Sequence, residues 1–147
     1  MLIPKKEAVI QRQIEAVEET QKSIEVILSW NRYLSGTPLF DPSYKKAMQR
    51  GVFVRYVIQE PPTQELRQEA SSTHTNALSQ MRFIKNYPQS ILAIYDKKKL
   101  MLLVDPTPNS DIPGESPSLW TNNQSLIRIV QEHFENLWKK AKKIEWF

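Results

Sequence analysis

The chain has 147 residues, 40% of them hydrophobic and 24% charged, which fits one ordinary folded domain over 1–147 and excludes a disordered or fibrous protein. It has no cysteine, so thiol catalysis, thiolate zinc sites and disulfides are excluded by inventory. The net charge of +4 is local, because Lys97, Lys98 and Lys99 and the tail lysines 139, 140, 142 and 143 carry much of it. No run reaches the ~18 apolar residues of a spanning helix, and the opening MLIPKKEAV lacks the apolar stretch of a secretion signal. We therefore expect a cytoplasmic chain with no membrane contact.

Residues 5–20 place Ile10, Ile14 and Val17 at helical spacing with charges outward, an amphipathic helix. Residues 24–30 (IEVILSW) are apolar and β-branched, as in a strand buried on both faces. Ser35-Gly36-Thr37-Pro38 reads as a turn, and Asp41-Pro42 as the cap and first position of a short helix over 43–50, closed by Gly51. Residues 52–59 form a second strand, stopped by Pro61 and Pro62, which have no amide to donate.

Residues 63–80 read as a polar helix capped by Thr63, residues 81–84 as a third strand, and 91–95 with 100–104 as a hairpin turned by Asp96-Lys97-Lys98-Lys99. The prolines crowded at 106, 108, 113 and 117 mark a loop over 105–119. A last helix starts at Thr121 or Asn122, with the stripe Leu126, Ile127, Val130, Phe134, Leu137, Trp138 and Ala141. The order β-α-β-α-β-β-β-α, closed between the first and last helices, predicts an α/β fold with a single mixed β-sheet flanked by helices.

In such sheets ligands bind beyond the carboxyl ends of the strands. The candidates there are Trp30 and Asn31, Gln59, Gln89, Tyr95, and the run Trp120, Asn122, Asn123. Tryptophan and amides suit recognition of a small molecule, since they supply stacking area and orienting hydrogen bonds without a reactive group. The competing reading makes Trp30 and Trp120 packing residues, and Asn122 and Asn123 a cap and a turn.

Of the histidines, His74 falls in the polar helix and His133 on the last helix, neither at the predicted strand ends. Glu132-His133-x-Glu135 lacks metal-ligand periodicity, and the glycines are isolated, so neither a metal, a phosphate loop nor any cofactor is expected. The calculated isoelectric point near 9.3 and the lysine-rich tail raise nucleic-acid binding. A helix carboxyl end attracts the same cations, and no nucleic-acid-binding motif accompanies them.

Two stretches carry a resemblance: Ser118-Leu119-Trp120-Thr121-Asn122-Asn123 running into His133-Phe134-Glu135-Asn136-Leu137-Trp138-Lys139-Lys140, and the opening from Pro4 to Trp30. They resemble the effector domain of TrmB-like archaeal transcription regulators, which is similar in fold to one half of a phospholipase-D-type protein. The phospholipase-D enzymes carry His-x-Lys-x4-Asp. With the aspartate on Asp96, Gln89 stands at the histidine position and Ile91 at the lysine position. The resemblance thus implies a half-module without that enzyme's nucleophile and cation.

It also implies a sensor of a small-molecule effector, or a homodimerisation module, that reaches DNA through an attached or partner winged-helix domain for which this sequence has no segment. For dimerisation, Leu126, Phe134, Trp138 and Trp146 offer apolar surface near the end of the chain, with Phe147 beside them. A degenerate phosphodiesterase using Asp96, Asp105 or His74 is the third reading.

Overall fold

The computed structural model describes residues 1–4, 7–73 and 77–141. Seven strands form a single mixed sheet in the order β1-β7-β6-β5-β2-β3-β4: β1 Leu2–Ile3, β2 Ser23–Leu28, β3 Phe53–Gln59, β4 Ser79–Ile84, β5 Leu92–Tyr95, β6 Lys99–Leu103 and β7 Ser118–Thr121. β2, β3 and β4 run parallel, and β5, β6, β7 and β1 extend the sheet from β2 by antiparallel pairs. The helices are α1 Glu7–Glu19, α2 Trp30–Gln49, α3 Gln64–Ser72 and α4 Gln124–Lys140.

The sheet is apolar on both faces, which is why the central strands read as unbroken hydrophobic runs. On one face, Ile24, Val26, Tyr56, Ile58, Met81 and Phe83 pack under α1, α2 and α3 through Val17, Ala47 and Ala70. On the other face, Ile27, Val57, Leu92, Ile94 and Leu100 meet Ile127, Phe134 and Trp138 of α4. α4 has an N-cap, Asn123, whose side chain accepts from the Leu126 amide, and lysines 139 and 140 in its last turn.

Three local expectations are corrected. The turn and short helix read over 35–50 are one continuous helix, α2, which begins directly after Ser29 and carries Pro38 and Pro42 inside it. Each proline removes one donor to the carbonyl four residues back. Trp30, Arg32, Gly36, Ser43 and Ala47 are nonetheless buried along the helix, so tertiary packing overrides the local break. The residues 118–121, read as loop and helix entry, are strand β7, which pairs with both β6 and β1.

The hairpin turn is also tighter than read. The turn spans residues 96–98: Asp96 and Lys97 have φ of 56° and 54°, and the Lys98 amide donates to the Tyr95 carbonyl, a β-turn with both central residues left-handed. Lys99 belongs to β6, where it faces Tyr95 in register.

Candidate functional site

The strand directions divide the expected ligand-binding set between the two ends of the sheet. Trp30, Asn31, Gln59 and Gln89 lie at the carboxyl end of β2 and β3. Because β5 and β7 run against β2, Tyr95, Trp120, Asn122 and Asn123 lie toward its amino end, where Tyr95 pairs with Ile24. One rim shared by all eight does not exist.

Their local contacts explain most of them. Asn31 and Asn122 are exposed, and Asn123 is the α4 cap. The Gln59 side-chain carbonyl accepts from the Trp30 amide at 3.2 Å, closing the first turn of α2. Trp120 is buried, donates its indole N–H to Ser118 Oγ at 2.7 Å, stacks on Tyr95 at 5.9 Å and lies under the Arg12 guanidinium at 4.4 Å. His74 and Trp146, with Phe147, lie outside the described residues. Phe134 and Trp138, expected at a dimer interface, are buried against the chain's own sheet, whereas Leu126 is 38% exposed.

The carboxyl end of β2 is occupied by the chain's own proline-rich loop. Ser29 Oγ donates to the Asp111 carboxylate at 2.6–2.7 Å, and the Tyr87 hydroxyl donates to it at 3.2 Å. Arg32 pairs with Asp111 at 2.9 Å and reaches the Ile112 carbonyl and Ser116 Oγ, each at 3.1 Å. Ser29, Arg32, Asp111 and Ser116 are almost fully buried, so the cluster acts as a staple that holds residues 105–117 across the start of α2.

The open volume lies elsewhere, between α2 and the sheet. A cavity of about 540 Å³ is floored by Val26, Tyr56, Ala93, Tyr95, Met101 and Leu103 and roofed by Trp30, Tyr33, Tyr44 and Met48. Exposed or half-exposed residues of α2 and α3, among them Leu34, Thr37, Asp41, Leu66 and Glu69, mark its mouth. Of the expected ligand residues, Trp30 and Tyr95 line it and the other six do not.

Tyrosines gather around this cavity. Tyr33 meets Tyr56 edge-on at 6.2 Å, and Tyr44 lies 5.9 Å from Tyr56. Burial pushes the hydroxyl pKa of Tyr33, Tyr44, Tyr56 and Tyr95 above the ordinary phenol value, so all four stay protonated. Composition and spacing could not reveal this group, since its members come from three separate elements, α2, β3 and β5.

The phospholipase-D motif positions are separated as well. Ile91 is fully buried and lines the cavity, whereas Gln89 is exposed in a shallow hollow with Ser90 and His133. His133 Nε2 stands 3.4 Å from Ser90 Oγ, and this histidine is half-buried. Asp96 accepts the backbone amides of Gln21, Lys22 and Ser23 at 2.6–3.2 Å. Burial opposes its charge, but these amides outweigh burial and hold its carboxyl below the usual value. Among the described residues no group of three or more metal-ligating side chains converges, and no helix is long and apolar enough to cross a membrane.

This architecture is the phospholipase-D-like fold, and solved structures of that class superpose on nearly the whole chain. Nuc from Salmonella typhimurium, a phospholipase D family member, is 15% identical with a TM-score of 0.70, covering 99% of this chain and 97% of its own. NucT from Helicobacter pylori is 13% identical with a TM-score of 0.62, covering 92% and 91%. TrmBL2, an archaeal chromatin protein described with a novel mode of DNA binding, is 15% identical with a TM-score of 0.74. That match covers 98% of this chain, which spans 54% of TrmBL2. No family model matches the chain, and no curated protein matches its sequence.

Proposed function

We propose that this chain is the non-catalytic, effector-sensing domain of a TrmB-like transcription regulator, cytoplasmic, and connected to DNA through an attached or partner winged-helix domain. The observation that carries the reading is the 540 Å³ cavity under α2, a size that suits a metabolite. Ile91 and Gln89, at the motif's lysine and histidine positions, supply neither a cation nor a nucleophile. The Asp96 carboxylate is engaged by three backbone amides.

A ligand under α2 has a physical route to a response. Pro38 and Pro42 weaken the helix that roofs the cavity, so a bound molecule can favour one placement of that helix over another, which is the differential affinity any switch requires. Trp30 lines the cavity and serves as an internal reporter. A metabolite screen read by thermal shift and tryptophan fluorescence should give a ligand that raises Tm and perturbs emission, with both effects lost in Ala93→Phe. A screen in which neither signal moves sinks the sensing reading. Turnover of bis(p-nitrophenyl) phosphate that disappears in Asp96→Ala or His133→Ala would overturn the non-catalytic one.

A second reading, homodimerisation, draws on Ile129 and Leu126, which stand 65% and 38% exposed on the outer side of α4. Sedimentation at high micromolar concentration should then show a dimer that Ile129→Glu dissociates. A monomer throughout removes this reading.

A further inference from the structure

We infer that the α2 cavity takes an uncharged, largely apolar molecule carrying a hydrogen-bond acceptor, which is held by the hydroxyls of Tyr44 and Tyr95. This rests on the sensing reading above and specifies its ligand. Among the described residues neither hydroxyl has a hydrogen-bond partner, although both residues line the cavity and Tyr95 is 3% exposed. Because both tyrosines border the cavity's open space, an acceptor brought by a ligand can take a hydrogen bond from each in place of water.

The floor of the cavity selects against charge. The floor is Val26, Ala93, Met101 and Leu103, which offers an ion nothing in exchange for its water. The nearby cations are already engaged: Arg32 is bound to Asp111, and Lys45 pairs with Asp41 at 3.1 Å on the exposed mouth. A phosphate or carboxylate would therefore enter an apolar chamber without a counter-ion. An ester or ketone on an alkyl or aromatic body matches both features.

The test uses the full chain and the neutral fluorophore N-phenyl-1-naphthylamine, displaced by methyl decanoate or by ionised decanoate. The ester should displace the probe about tenfold better than the acid, since the two differ chiefly in charge at equal chain length. Tyr44→Phe and Tyr95→Phe should each weaken the ester about three- to tenfold, the worth of one hydrogen bond, and leave the probe's own affinity within about twofold. Equal displacement by ester and acid, or Tyr→Phe variants that bind the ester unchanged, would overturn the ligand class while probe binding upholds the cavity as a site. A wild-type protein, folded by circular dichroism, that never binds the probe overturns both.

Discussion

The two faces of the sheet are built on opposite terms. On the α4 face, aromatic rings and guanidinium groups close the space: Phe134 stacks on Trp138 at 6.0 Å, and Arg55 lies 4.9 Å from the Phe134 ring. Arg82 lies 4.2 Å from the Trp138 ring, and Arg55 pairs with Glu135 at 2.6 Å. On the α2 face, a proline-bearing helix bridges a cavity and is fixed at its start by the Ser29–Arg32–Asp111 staple. One face is packed to hold a helix in place, and the other leaves room beneath one. If the proposed ligand binds, the α2 face is the one on which it would alter structure at the least cost in core packing.

The contrast can be broken first on the packed face. Phe134→Ala should lose about 3–5 kcal/mol in chemical denaturation, because a fully buried ring leaves a void that a stacked indole and two arginines cannot fill. A loss below about 1 kcal/mol would mean that α4 is not tightly packed. Next, Asp111→Ala should cost about 3 kcal/mol by leaving Arg32 buried without its carboxylate. The same variant should increase proteolysis within residues 105–117, and Asp111→Asn should restore part of the stability.

A smaller effect, with a characteristic pH dependence, comes from Glu25, almost fully buried on the α4 face. Burial raises its carboxyl pKa, and Arg55 opposes that only in part. A carboxyl whose folded pKa is raised penalises the fold when ionised. Stability should therefore rise as pH falls through the raised folded pKa of Glu25 toward its unfolded value of 4.5. Asp96 behaves oppositely. Its depressed pKa contributes stability above the unfolded value of 3.8, and that contribution is lost as pH falls through the lower folded pKa. Glu25→Gln should flatten the first of these slopes and gain about 1 kcal/mol at neutral pH. A slope that survives Glu25→Gln would assign it to another group.

The smallest change sharpens the comparison most. Ala93→Phe adds a ring to the floor of the cavity, where overpacking a filled core would cost about 1–3 kcal/mol. Here the cost should stay below about 1 kcal/mol, because the ring enters existing space. A full overpacking penalty, seen as a matching fall in the denaturation midpoint, would show that the cavity is closed in solution.

Periodicity and punctuation made much of this molecule legible. The apolar run behind β2, the stop at Pro61-Pro62, the lysine-flanked hairpin and the stripe of α4 are local signals, each readable from a few neighbouring residues. The same locality explains the misreadings. Pro38 and Pro42 carry a strong break signal, yet they lie within one helix because its buried side is held by the sheet. β7 has only four residues, and nothing in Ser118-Leu119-Trp120-Thr121 identifies β6 and β1 as its partners. The candidate ligand residues were sought at one rim, and the antiparallel β5 and β7 divide them between two.

Residue types and short patterns by themselves determined the absence of thiol chemistry and the mixed α/β architecture, whereas Gln89 and Ile91 at the motif's histidine and lysine positions are what the family resemblance implies. The first two conclusions depend on inventory and on patterns a few residues long, which survive without coordinates. Where Tyr33, Tyr44, Tyr56 and Tyr95 meet was decided by tertiary structure alone, as was the void beneath α2. A cavity is what remains after distant segments have packed, and its walls come from residues far apart in the chain.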